Sequence, residues 1–174
     1  MRKQLAKIKL LLLDVDGVLT DGRIIYDNSG NELKAFDVKD GHGLKMLQRA
    51  GIKIGIITGR SSVVVALRAE ELGIKILYQG ALQKLDPYQE ILSLLDLSDD
   101  QVAYIGDDIV DLPILCRVGF SATVADAVPD VVPFVDYVAT RAGGRGAVRE
   151  VCDLLLQASG KWDGLTERYF PQNQ

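Results

Sequence analysis

The strongest constraint on the fold is a repeated pairing: a short apolar run, then an abrupt stop at Asp, Gly or Thr. Ile8-Lys9-Leu10-Leu11-Leu12-Leu13 halts at Asp14, with Gly17 close behind. Lys53-Ile54-Gly55-Ile56-Ile57 halts at Thr58-Gly59, and Val102-Ala103-Tyr104-Ile105 halts at Gly106. Lys75-Ile76-Leu77-Tyr78 is weaker; Gly119 to Thr123 and Tyr137 to Ala139 are short candidates for two more. Runs this short, without polar alternation, suit strands covered on both faces. Between them, apolar residues recur at helical spacing. Leu44, Met46 and Leu47 precede Gly51; Val64, Leu67, Ala69 and Leu72 precede Gly73; Tyr88, Ile91, Leu92 and Leu95 follow Pro87. Gly51 and Gly73 stand where a helix C-cap belongs. Strand and helix in alternation predict an α/β fold built on a doubly wound, mainly parallel sheet.

One stretch breaks the rhythm. Arg23 to Asp27 and Glu32 to Asp37, joined by Asn28-Ser29-Gly30-Asn31, read as a β-hairpin inserted at about residues 20–39. At 174 residues the chain suits one domain, 1–174, and from about 160 to 174 it reads as an appended tail. Hydrophobic residues at 48% and charged residues at 25% exclude a disordered chain. A net charge of −4 argues against a nucleic-acid surface. The longest strongly apolar run falls far short of the ~20 residues of a membrane span. Arg2, Lys3, Lys7 and Lys9 are followed by neither an h-region nor a small-residue cleavage site, so a cytoplasmic protein is expected. Cys116 and Cys152 lie outside any CxxC pattern and are expected in or near the core. His42 is the only histidine, which disfavours histidine-rich metal sites and a Ser-His-Asp triad; it is expected near a helix start.

The candidate chemistry is acidic. Asp14-Val15-Asp16-Gly17 follows the first strand, and Gly106-Asp107-Asp108-Ile109-Val110-Asp111 follows the fourth main run. Doubly wound sheets bind ligands beyond the carboxyl ends of their strands, where the strand order reverses. With the order 3-2-1-4-5, Asp14, Asp16, Asp107, Asp108 and Asp111 converge. Carboxylates so crowded repel one another and call for a cation; hard oxygen ligands favour Mg²⁺. Thr58 closes the second run and could bind a phosphoryl oxygen or, equally, cap the following helix. Lys84 follows the third run and would by itself be an ordinary surface lysine.

Taken in order, Asp14-x-Asp16-Gly17, Thr58, Lys84 and Gly106-Asp107-Asp108-x-x-Asp111 resemble the haloacid dehalogenase superfamily of phosphohydrolases. The resemblance implies a Rossmann-like fold with Asp14 as nucleophile, forming an aspartyl-phosphate, and Asp16 as general acid/base. It further implies Mg²⁺ on the Asp14 carboxylate, the Asp16 carbonyl and Asp107, with Thr58 and Lys84 on the phosphoryl group. A carboxylate can attack phosphorus when cations offset the repulsion, and the covalent intermediate divides one hard step into two.

Phe36-Asp37-Val38-Lys39-Asp40-Gly41-His42-Gly43, Ile56-Ile57-Thr58-Gly59-Arg60-Ser61, Glu71-Leu72-Gly73-Ile74 and Tyr78-Gln79-Gly80 are similar to the 3-deoxy-D-manno-octulosonate (Kdo) 8-phosphate phosphatases. Those enzymes act in lipopolysaccharide precursor synthesis. The similarity implies substrate contacts from Asp16, Asp37, Val38, Lys39, Asp40, Gly41, Lys45, Arg60, Arg68 and Lys84. Arg60 and Arg68, eight apart, could share a helix face and suit an anionic sugar acid. The nine-carbon sugar-acid (KDN or sialic acid) 9-phosphate phosphatases are the nearest alternative; Arg60 after Thr58-Gly59 stands where that branch has a glutamate. A non-enzymatic receiver domain would end its third strand in an aspartate, whereas this chain has Tyr78-Gln79-Gly80 there. No inserted cap domain fits, because 20–39 is only a hairpin and 84–106 holds one helix. The hairpin's Ile24, Ile25, Tyr26, Leu33 and Phe36 therefore need cover, and the resemblance implies a homotetramer in which neighbours supply the lid. The tail, with Gly143-Gly144-Arg145-Gly146 upstream as a pivot, is a second candidate to reach an adjacent site.

Overall fold

The computed structural model describes residues 5–170; Arg2, Lys3 and the last four residues of the tail lie outside it. Six parallel strands form one open sheet: β1 (Leu10–Leu13), β4 (Lys53–Ile57), β5 (Ile76–Tyr78), β6 (Val102–Ile105), β7 (Phe120–Thr123) and β8 (Tyr137–Val138). Their order is β5-β4-β1-β6-β7-β8, so β1 pairs with β4 on one side and β6 on the other. The direction of winding reverses there, which makes the carboxyl end of β1 the switch point. Helices α1 (Val38–Arg49), α2 (Val63–Leu72), α3 (Leu85–Leu95), α4 (Leu112–Leu115), α5 (Ala147–Ala158) and α6 (Trp162–Thr166) cover the faces. None of them is long and apolar enough to cross a membrane.

β1 explains why the apolar runs lack alternation. Leu11 and Leu13 enter one core with Leu44, Leu47, Val148 and Val151, while Leu10 and Leu12 enter another with Tyr88, Ile91, Tyr104 and Ile114. All four leucines are fully buried, each contributing about 1.5–3 kcal/mol. α1 begins at the N-cap Asp37, whose carboxylate accepts from Lys39 N at 2.7 Å. α2 ends at Gly73 in the left-handed region (φ 70°), as the sequence predicts.

β2 (Ile25–Tyr26) and β3 (Glu32–Leu33) form the expected hairpin, a separate antiparallel ribbon with Ile25 opposite Leu33. Asp27 organises the turn by accepting from Ser29 N and Asn31 N, each at 2.8 Å. Ile24, Ile25, Tyr26 and Leu33 are all exposed, whereas Phe36 packs against the core.

Three local expectations differ from the structure. α2 starts only at Val63, capped by Ser62 rather than Thr58, so Arg60 lies in the preceding loop and shares no helix face with Arg68. Cys116 is exposed at the end of the one-turn helix α4, while Cys152 is buried on α5. The tail's described part is docked: Trp162 and Leu165 pack on the core, and Lys161 Nζ donates to Ala50 O at 2.6 Å, closing the end of α1.

Candidate active site

Asp14 is the first residue beyond β1, its backbone N–H still bonded to Ile105 O at 3.0 Å. Thr58 continues β4 in the same way, donating to Tyr78 O at 2.9 Å. Lys84 immediately precedes α3, and Asp107 follows β6. The strand ends thus bring all four to one cleft of about 320 Å³, together with Asp16, Arg60 and Asp108. Gly17 (φ +90°) lies so close to Asp107 that any Cβ would overlap the carboxylate, so the loop after β1 needs a glycine there.

The floor of the cleft is a buried charge cluster. Lys84 Nζ lies 2.7 Å from Asp14 Oδ2 and 2.7 Å from Asp111 Oδ1. Tyr104 donates its hydroxyl to Asp111 Oδ1 at 2.6 Å, and the backbone N–H groups of Asp107 and Asp108 donate to Asp111 Oδ2 at 3.0 and 3.2 Å. Both oxygens of Asp111 are therefore fully engaged. Asp108 caps the short turn Ile109–Asp111 by accepting from Ile109 N. Asp111 thus holds the loop and Lys84, and Asp108 starts the turn.

Burial works to lower the Lys84 pKa, but Asp111 and Asp14 outweigh it and hold the ammonium above its ordinary range. Burial raises Asp14, opposed by Lys84 and reinforced by Asp111. Asp107 is pushed up to about 7, first by burial, then by the charges of Asp111 and Asp14. Three carboxylates against one ammonium leave negative charge uncompensated, the situation a divalent cation corrects.

Oxygens of Asp14, Asp107 and Asp111 lie within 4.8 Å of one another. Asp111 has no free lone pair directed at a metal, whereas Asp107 Oδ1 is buried without any hydrogen-bond partner. An orphaned carboxylate oxygen beside Asp14 fits Mg²⁺, with Asp14 and Asp107 as side-chain ligands. The donor set is all oxygen, as that ion requires.

The remaining expected contacts lie elsewhere. Asp37 caps α1, and Val38 and Lys39 are exposed on its first turn. Asp40 is buried and accepts from Gly146 N at 3.3 Å and Arg149 N at 2.7 Å, tying α1 to the start of α5. Gly41 lies against the Arg68 guanidinium with no room for a Cβ. Arg68 itself sits over the Phe36 ring and pairs with Glu71 at 3.1 Å. Lys45, midway along α1, lines a different cleft with Gln48 and Gly73. None of these residues lines the cleft that holds Asp14.

Two hairpin residues missing from the sequence-based set pair with residues that line it. Lys34 pairs with Asp16 Oδ1, and Glu32 accepts from Arg60 Nη2 at 2.9 Å and from the Ser62 hydroxyl. The detectable signal is the alternation Glu32-Leu33-Lys34, which sends two charges to one side of a strand.

Comparison with known proteins agrees with this geometry. A model of the haloacid dehalogenase-like hydrolases matches residues 37–119. The 3-deoxy-D-manno-octulosonate 8-phosphate phosphatase KdsC of Escherichia coli K12 is 53% identical over 156 residues, 90% of this chain and 83% of the relative. The crystal structure of the phosphatase of that name from Yersinia pestis superposes with a TM-score of 0.92 at 50% identity, covering 94% of this chain and 88% of that one. The one from Moraxella catarrhalis, in complex with magnesium, phosphate and KDO, gives 0.95 at 43% identity and 97% of both chains.

Proposed function

The chain belongs to the haloacid dehalogenase-like hydrolases, within their 3-deoxy-D-manno-octulosonate 8-phosphate phosphatase branch, and from that membership we propose that it hydrolyses Kdo 8-phosphate to Kdo and phosphate. It is a Mg²⁺-dependent phosphoric monoester hydrolase. The observation that carries the substrate is the relatedness over nine-tenths of the chain, combined with a cleft whose catalytic residue types are all present.

In this reading the Asp14 and Asp107 carboxylates and the Asp16 carbonyl would hold Mg²⁺, which when bound would supply positive charge to offset that of the phosphoryl oxygens. Asp14 attacks phosphorus; the P–O bond to the sugar breaks, and the leaving oxygen takes a proton from Asp16. Asp16 then accepts a proton from the water that opens the aspartyl-phosphate. Lys84, fixed between Asp14 and Asp111, neutralises the nucleophile's approach to a phosphate, and Thr58 offers its hydroxyl to a phosphoryl oxygen. Arg60, 39% exposed, reaches the mouth of the cleft, where a substrate carboxylate would meet it.

Of the other proposed contacts, Asp37, Val38, Lys39, Lys45 and Arg68 would need a neighbouring subunit to meet a substrate, while Asp40 is buried in the seam between α1 and α5 and Gly41 packs on Arg68. A homotetramer is the assembly proposed to bring a neighbour there, and the exposed Ile24, Ile25, Tyr26 and Leu33 give it an apolar surface to form on. A soluble cytoplasmic enzyme matches the composition. Phosphate release with Mg²⁺ from Kdo 8-phosphate, KDN 9-phosphate and small sugar phosphates tests the reading. The highest kcat/KM is expected on Kdo 8-phosphate, and a higher value on the nine-carbon substrate would overturn the assignment.

A further inference from the structure

We propose that Lys34, on the inserted hairpin, is a positioning residue for proton transfer: it holds the Asp16 carboxylate in line with the leaving oxygen, without itself touching the phosphoryl group. The proposal rests on the reading of Asp16 as general acid/base.

The hairpin is mostly solvent-exposed, yet its Lys34 side chain is only 1% accessible. Burying an ammonium costs several kcal/mol unless it is paired. Lys34 is paired twice, with Asp16 Oδ1 and with Glu32 Oε1 at 3.5 Å. Among the described residues, Lys34 supplies the only side-chain hydrogen bond to the Asp16 carboxylate. The other cation near Asp16 is Arg60, whose Nε stands 3.6 Å from Oδ2, but Arg60 is 39% exposed. That Nε is buried without a hydrogen-bond partner among the described residues, and Arg60 spends its Nη2 on Glu32 and Tyr26, so the hydrogen bond to Asp16 is left to Lys34.

Glu32 joins the two cations. It accepts from Arg60 and Ser62 while facing Lys34, so the far side of the ammonium is fixed as well. β-strand alternation makes this possible: Leu33 faces outward while Glu32 and Lys34 turn toward Arg60 and Asp16. Asp16 stands beside Gly17 in a loop, and a carboxylate there has rotamers to choose among. General acid catalysis requires the donor within about 2.6–3.2 Å of the leaving oxygen. Lys34 restricts the choice. The bonds made and broken in the reaction do not change: the proton on the leaving oxygen still comes from Asp16.

Leaving groups that differ in basicity separate positioning from folding. Nitrophenolate departs readily without a proton; phenolate, with a pKa of about 10 like that of tyrosine, depends on one far more. Full-length enzyme with Mg²⁺ is assayed on p-nitrophenyl phosphate and phenyl phosphate, neither of which carries a sugar acid. Lys34→Met should lower kcat on phenyl phosphate on the order of tenfold more than on p-nitrophenyl phosphate, within the range general acids contribute. Asp16→Asn should show the same selectivity, more strongly, and adding Lys34→Met to it should cost little more on phenyl phosphate, because the two act as a unit. Lys34→Arg should recover part of the loss, and Lys34→Gln serves if the Met variant does not fold. Equal losses on both substrates, or full additivity with Asp16→Asn, would overturn the proposal and leave the acid role of Asp16 standing. A flat response of Asp16→Asn itself would remove both.

Discussion

The floor of the cleft and the hairpin above it are built on opposite principles. The floor is assembled by the sheet: Asp14, Thr58 and Asp107 are each the first or second residue past a buried parallel strand, and Asp111 spends all its lone pairs on Lys84, Tyr104 and the backbone of Asp107 and Asp108. The hairpin is a two-stranded ribbon with no place in that sheet and four large apolar side chains in solvent. Such a ribbon is marginal by itself in water. Yet its Lys34 and Glu32 pair with Asp16 and Arg60, which line that cleft. The charges of the floor are placed on rigid elements, whereas the groups that hold Asp16 and Arg60 sit on an element that needs outside support.

The largest effect should come from removing the floor's nucleophile. Asp14→Asn keeps the shape but loses the attacking charge, and kcat should fall on the order of 10⁴-fold or more with every substrate. Chelation with EDTA should do the same reversibly, with activity returning on addition of Mg²⁺. Retained turnover in either case would show that the floor is not where the reaction occurs.

Asp111→Asn tests whether the floor is rigid because its charges are matched. An amide would set its NH₂ against either the Asp107 and Asp108 N–H groups or Lys84 and Tyr104, while leaving the buried ammonium one partner short. Breaking a buried pair in this way costs about 3–5 kcal/mol, or a fall in Tm of roughly 10 °C at this chain length. Calorimetry on the variant decides it; an unchanged Tm would mean that solvent reaches the cluster.

A third measurement addresses the hairpin's dependence on neighbours. Ile25→Asp with Leu33→Asp places charge at a cross-strand pair that touches little in its own chain. Light scattering on the unmodified protein should give about four chain masses, and the double variant a smaller species with an unchanged far-ultraviolet spectrum. Its activity on the sugar phosphate should fall on the order of 10²-fold, the scale of a slightly misplaced binding group. A fully active monomer of the unmodified protein would sink the shared lid and leave the floor untouched.

The two regions also differed in how readable they were. Strand ends are local in sequence, so the apolar runs and the acids behind them bring Asp14, Asp16 and Asp107 together once the order 3-2-1-4-5 is taken, whereas Thr58 and Lys84 are placed in the cleft only by the family resemblance. Lys34 and Glu32 acquire meaning only from partners at Asp16, Arg60 and Ser62, which no periodicity links to them. The spacing of Arg60 to Arg68 allows a shared helix face, but Ser62 caps the helix later. The tail's aromatic and polar mixture hid a docking contact whose anchor, Lys161 to Ala50 O, spans most of the chain.

Asp40 gives the smallest and most specific effect, because it belongs to the seam between α1 and α5 and not to either catalytic region. Burial raises its pKa to about 6, with the charge of Asp37 adding, and the N–H groups of Arg149 and Gly146 and the charge of Arg141 opposing. The unfolded chain should titrate near the ordinary 3.8. Between those values the folded state binds the proton more tightly, so stability from Asp40 is fully present below pH 4 and is lost as pH rises through 6. The expected size is on the order of 2 kcal/mol. Asp40→Asn should be destabilised at acid pH, where the protonated carboxyl was favourable, with the gap to the unmodified protein narrowing as pH rises from 4 to 7. Denaturant melts at four pH values across that window measure it; a gap that stays constant or widens with pH would show that the N–H groups of α5, rather than burial, govern this carboxylate.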